Sequence, residues 1–201
     1  MFGTAFWVIF FCILSVISLY LVGLYNQLVS LRNRFKNAFS QIEVQLKRRH
    51  DLIPSLVEAA KASMTHERST LVAVTEGRNV AAACLKAAAT EPSSAKSITQ
   101  LGKDEGRLNT AMDNLNISLE DYPDLYASET MMQLSDEMTN TENRIAFARQ
   151  FFNDAVMSYN IYRQKFPTIL IADAFGHGSD APMLEFADSE QTQIAPVVSF
   201  T

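Results

Sequence analysis

Three histidines, two cysteines and one tryptophan are all that this 201-residue chain holds of those types. A zinc site needs ligands that converge, commonly two of them one helical turn apart. His50, His66 and His177 are scattered, and His66-Glu67 does not open an HExxH motif because Thr70 stands four residues after His66. The sequence also lacks GxSxG, P-loop and dinucleotide fingerprints. No catalytic, cofactor-binding or metal-ligating residue is assigned, no small-molecule substrate is expected, and the chain reads as a non-enzyme. Cys12 and Cys84 belong to no CxxC pair, so both are expected as free thiols in a reducing compartment. The net charge of −5 gives no basic footprint for nucleic acid.

Basic side chains are missing from the first part of the chain. The first is Arg32, and Thr4 to Leu24 (TAFWVIFFCILSVISLYLVGL) carries no charge at all. About twenty apolar residues suffice to cross a ~30 Å hydrocarbon core as a helix. A cleaved signal peptide would want a basic n-region and a small-x-small site, and Met1 to Gly3 supply no basic side chain. Trp7 sits near one end of the span, and Tyr20 and Tyr25 near the other, as interfacial aromatics do. Arg32, Arg34 and Lys36 follow closely. The positive side stays in the cytoplasm, so residues 1–3 are expected outside and residues 25–201 inside, in a single-pass arrangement with the lipid bilayer as a partner.

Glycine is nearly missing from the middle too, with only Gly77 between Leu24 and residue 100. Strand-type alternation is scarce, and helical spacing runs throughout. Leu28, Leu31, Phe35, Ala38 and Ile42 step by three and four, a coiled-coil seam that shifts afterwards to Leu46, Ile53, Leu56 or Val57, and Ala60. Pro54 is expected to kink this helix without ending it. A turn falls between Ser63 and Ser69, with Thr65 as candidate N-cap of a second helix running to about Ala89. Thr90 to Ser97 reads as a loop. Ser97 is the expected cap of a third helix with Ile98, Leu101, Leu108, Met112 and Leu115 as its core line. After the turn at Glu120 to Ser128, Ser128 caps a fourth helix. It holds heptad spacing from Leu134 through Met138, Thr141, Ile145, Ala148, Phe152, Ala155, Tyr159 and Tyr162 to Phe166, where Pro167 stops it. The resulting fold class is all-α: one transmembrane helix (4–24) continuing into an antiparallel up-down four-helix bundle (25–167) with long first and fourth helices, then a mostly irregular and mobile tail (168–201).

Polar residues interrupt the first seam at Gln45 and Arg49. With the first and fourth helices antiparallel and Tyr25 level with Phe166, Arg49 falls opposite Glu142. Lys47 to Asp51 reads either as a solvated helix face or as an internal network, and in the second reading an Arg49–Glu142 pair is expected to set the register of these two helices. Asn153 and Asn160, seven apart on one face, read either as solvent-exposed or as bonding amides near the membrane end of the first helix, where Asn26, Asn33 and Gln41 lie. Because the second and third helices are shorter, they are expected to stop ~20 Å from the membrane at 1.5 Å per residue. That leaves a two-helix stalk carrying Leu28, Leu31, Phe35, Phe39, Val156, Tyr159, Ile161 and Tyr162. Its partly open apolar surface is the expected interaction site, unless Ile169 to Phe175 fold back and cover it.

The stretch YNQLVSLRNRFKNAFSQIEVQLKRRHDLIPSLVE, followed by HE, YPDL, TENRIAFARQFFNDAVMSYN and FP, resembles the LemA family of bacterial membrane proteins over roughly Tyr25 to Pro167. The resemblance implies the bacterial cytoplasmic membrane, a single N-terminal membrane helix and a cytoplasmic helical bundle. It assigns no reaction. The expected function is a membrane-anchored helical scaffold working through self-association or binding of another membrane protein, with an adaptor or regulator of a membrane protease as the alternative.

Overall fold

The computed structural model describes residues 2–64 and 66–186. All regular structure among these residues is helical. Helix α1 spans Phe2–Lys61, α2 Arg68–Thr90, α3 Ala95–Glu120, α4 Pro123–Tyr126, α5 Glu129–Gln164 and α6 Ile169–Ala172. α1 is one continuous helix whose apolar stretch from Ala5 to Tyr20 is exposed, and it is the one described helix long and apolar enough to cross a membrane. Burial begins abruptly at Leu24 and Leu28, one turn apart, at the end of that span.

The heptad seams pack as their spacing requires. α5 runs antiparallel to α1, with the Phe39 ring against Phe152 and the Phe35 ring between Phe152 and Tyr159, all edge-on. Each of these buried phenylalanines contributes about 1.5–3 kcal/mol of burial. Further along, Arg48 pairs with Glu137. α2 packs along α3, and the two meet α1 through two apolar clusters. One joins Ile42 and Leu46 to Leu85, Ile98 and Leu101; the other joins Ile53 and Ala60 to Val74, Leu108 and Leu115.

Of the three expected helix caps, Ser128 is found and the other two are not. Ser128 accepts a hydrogen bond from the Met131 amide, as an N-cap does. The cap of α3 is Ser94 and not Ser97, whose own amide donates to the Ser94 hydroxyl. Ser97 therefore stands inside the first turn, three residues after the cap. Pro123 starts the short helix α4, where a missing N–H costs nothing. Thr65, itself outside the described residues, is not the cap of α2: that helix starts at Arg68 with Glu67 in the cap position, which makes no side-chain cap hydrogen bond.

Pro54 sits inside α1, and the helix passes through it. Proline has no N–H to give the carbonyl four residues back, which is that of His50. Arg78 of α2 fills the gap: its Nε donates to the His50 carbonyl at 2.9 Å. The break in the α1 ladder thus becomes a tie between α1 and α2.

The largest departure is the tail. α6 and an extended segment reaching Phe186 fold back along the half of the helical body nearest the apolar span of α1. Ala172, Ala181, Leu184 and Phe186 join the same core as Leu28, Phe35, Phe39, Val156 and Tyr159. With 23 and 26 residues against the 36 of α5, α2 and α3 do stop short. The tail supplies the missing wall, so most of the expected partly open stalk is core.

Candidate functional site

The most organised surface is the place where the C-terminal segment lies on α5. Asn153 donates its amide to the Leu184 carbonyl at 3.1 Å and accepts from the Leu184 amide at 2.9 Å. Two turns later Asn160 repeats the arrangement, donating to the Ala181 carbonyl and accepting from the Ala181 amide at 2.9 and 2.8 Å. A carboxamide carries both a donor and an acceptor, so each asparagine satisfies both main-chain groups of one residue. The seven-residue spacing puts both on one face of α5. The expected partners on α1 are not used: Asn26, Asn33 and Gln41 are exposed.

Side chains secure both ends of the segment. Arg163 Nε donates to Asp180 Oδ1 and Gln164 Nε2 to Asp180 Oδ2, each at 2.9 Å. The Arg149 guanidinium stands 4.6 Å over the Phe186 ring. Leu184 and Ala181 point into the core. A Cβ on Gly102 of α3 would overlap the Glu185 carbonyl oxygen, so that glycine is what lets the segment close on α3. Upstream, Tyr159 Oη and His177 Nδ1 share a buried hydrogen bond of 2.9 Å. Burial, followed by the nearby Arg32 charge, pushes the His177 pKa down and favours the neutral ring.

A second constellation occupies the polar interruption of α1. Arg49 is buried and pairs with the fully buried Glu105 of α3 through Nη2. Its Nη1 donates to Asn109 Oδ1 at 2.7 Å. His50 Nε2 meets the other Glu105 oxygen at 3.0 Å. This corrects the expected partner. Glu142 is not bonded to Arg49; it lines an open cleft of ≈ 560 Å³ with Leu56, Met112, Asn116 and Tyr126. Burial raises the Glu142 carboxyl, and the Arg49 charge only partly opposes that. Choosing between two acids on different helices requires the rotation of α1 about its axis, which heptad counting does not supply. The polar interruption therefore registers α1 against α3, while Arg48–Glu137 acts at the surface between α1 and α5.

The eight expected stalk residues divide. Leu28, Phe35, Phe39, Val156 and Tyr159 are buried, Leu31 and Tyr162 pack partly against the same core, and Ile161 stays 42% exposed. The three histidines do not converge: His50 meets Glu105, His177 meets Tyr159, and His66 lies in the turn before α2. The clamp was half legible, because the paired asparagines stood out. Their targets are backbone atoms, which leave no mark in a sequence.

Cys84 of α2 donates its thiol to Asp104 Oδ2 at 3.0 Å. Burial first, then that hydrogen bond and the charges of Asp104 and Glu105, push the thiol pKa up to about 11. Thiolate is the reactive species, so at pH 8 only about one molecule in a thousand carries it. In a Cys12→Ser background, alkylation by iodoacetamide should stay slow through pH 9 and reach half its limiting rate near pH 11. Asp104→Asn should move that midpoint down. A midpoint near the ordinary thiol value in the parent would contradict the Cys84–Asp104 contact.

These features define an all-helical protein with one candidate membrane-spanning helix and a helical body closed by its own C-terminal segment. The family model of the LemA family matches residues 38–200, and the chain belongs to the LemA family. It is also similar to Protein LemA of Metamycoplasma hominis, at 28% identity over 157 residues, covering 77% of this chain and 67% of that protein.

Proposed function

We propose that this protein is a non-enzymatic, membrane-anchored helical scaffold that acts through self-association or partner binding in membrane organisation. The asparagine clamp carries the reading. Asn153 and Asn160 hold an extended segment by its main chain, and the core receives Ala181 and Leu184. Recognition of this kind gets its affinity from backbone hydrogen bonds and its selectivity from pockets for a few side chains. Such a surface suits a polypeptide ligand and has no use for a reacting small molecule. In this reading α1, α2, α3 and α5 form an antiparallel up-down four-helix bundle, with α1 leading away from the bilayer and α5 returning to it. Arg32, Arg34 and Lys36 favour the bacterial cytoplasm for the bundle, with the N-terminus outside the inner membrane.

Sizing of the detergent-solubilised full chain, combined with cross-linking in intact cells, tests the proposal. A homo-assembly whose copies cross-link supports the scaffold. A monomer that cross-links to a membrane protease gives the adaptor reading instead. A monomer that cross-links to no membrane protein overturns both. An active alkaline phosphatase fused after Thr201 would reverse the orientation.

A further inference from the structure

Beyond the spanning helix, one rigid turn presents apolar side chains to the outside at a defined height. Between α5 and the clamped segment, residues 166–175 expose Phe166 (80%), Leu170 (71%), Ile169 (49%) and Phe175 (40%). Four large apolar groups within ten residues are more than scattered surface hydrophobes. The turn is not loose: Thr168 and Ala172 are buried beneath it. The Ile169 amide donates to the Lys165 carbonyl and the His177 amide to the Ala172 carbonyl, each at 2.9 Å. Its outward face is therefore held in place.

The height of this turn is fixed by two contacts. The Phe175 ring lies 5.2 Å from the Tyr25 ring, and Ala172 shares a core with Leu28. Tyr25 directly follows the apolar run Thr4 to Leu24, which at 1.5 Å per residue covers ~31 Å, close to the ~30 Å hydrocarbon thickness. The turn thus stands where α1 would leave the hydrocarbon. Aromatic and aliphatic side chains at that level sit well in the headgroup and acyl boundary. Lys165, exposed at the rim, can reach lipid phosphates.

The geometry points to a second membrane contact: the turn from Phe166 to Phe175 inserts Phe166, Ile169 and Leu170 into the interface of the bilayer that α1 crosses. The occupant of this surface is lipid. The inference rests on α1 being the membrane anchor, and it adds an orientational lock. A single helix leaves the body free to tilt and rotate on the membrane, whereas a helix plus an inserted turn defines which face of α5 looks down. The clamp then lies at a fixed distance from the bilayer, because α5 connects Asn160 directly to the turn.

Tryptophan fluorescence separates the possibilities, since Trp7 is the single native tryptophan. The full chain is reconstituted in vesicles of phosphatidylcholine and phosphatidylglycerol with brominated acyl chains. The parent reports α1 through Trp7, which should be quenched. In a Trp7→Phe background, Leu170→Trp should emit blue-shifted light and lose most of it to the bromines. Phe147→Trp, on exposed α5 far from the turn, should be neither shifted nor quenched. If Trp7 is quenched and the Leu170→Trp indole is not, the second contact is wrong and the anchor stands. If Trp7 escapes quenching as well, the anchor reading itself fails. A blue shift at Leu170→Trp without quenching would place the turn against protein, for instance a second copy, and overturn the lipid assignment. Phe166→Trp repeats the test should Leu170→Trp disturb the turn.

Discussion

Glu105→Ala is expected to cost the folded chain about 3–5 kcal/mol, because it leaves a buried guanidinium without its carboxylate. Arg49 is 3% exposed and cannot turn to water, and Glu105 is fully buried and also meets His50. Asn109 would remain to Arg49, but a neutral carbonyl oxygen compensates a charge poorly. Arg49→Ala should do comparable damage. The double variant should cost less than the sum, since each single change strands the other's charge. Replacing both by apolar residues of similar size, as in Arg49→Met with Glu105→Leu, should recover most of the loss. The corresponding cycle between Arg49 and Glu142 should show weak coupling, because those two interact through charge without a hydrogen bond. Chemical denaturation of the full chain in detergent, followed by circular dichroism, reads all of these. Strong coupling to Glu142 and none to Glu105 would mean that α1 is rotated from the position described here.

Asn153→Ala combined with Asn160→Ala should detach the C-terminal segment while leaving the long helices formed. Each asparagine makes two hydrogen bonds, and each buried main-chain group left unpaired costs about 1–3 kcal/mol. Water entering beside the segment will recover part of that. The effect is therefore expected as local opening, and amide hydrogen exchange is the suitable measurement. The Ala181 and Leu184 amides should exchange about tenfold to a hundredfold faster in the double variant, since about 1.4 kcal/mol corresponds to each factor of ten. Asn153→Asp makes a sharper probe. Its carboxylate can still accept from the Leu184 amide but sets a second oxygen against the Leu184 carbonyl, so protection should fall below that of the parent. Gly102→Ala should loosen the same segment from the α3 side, by overlap with the Glu185 carbonyl. Unchanged exchange at Ala181 and Leu184 in every variant would remove the clamp from the account, and the proposed function with it.

Much of the molecule follows from local rules. The uncharged run ending at Leu24, the seam from Leu28 to Ile42, the core line of α3 and the heptads of α5 each carry their own period. Period and length suffice to make a helix and choose its buried stripe. The Ser128 cap is local in the same sense, as is the length mismatch that leaves α2 and α3 short. Tertiary structure decided what came next. The partner of Arg49 depended on the rotation of α1 and α3, and Glu105 and Glu142 are equally acidic on paper. The partners of Asn153 and Asn160 are peptide groups, identical along the whole chain, so no residue type announces them. The segment they hold, from Asp180 to Phe186, has no helical period and is interrupted by Pro182. It is ordered only because a groove two helices wide was left open beside it, and its burial became visible only when both were placed together.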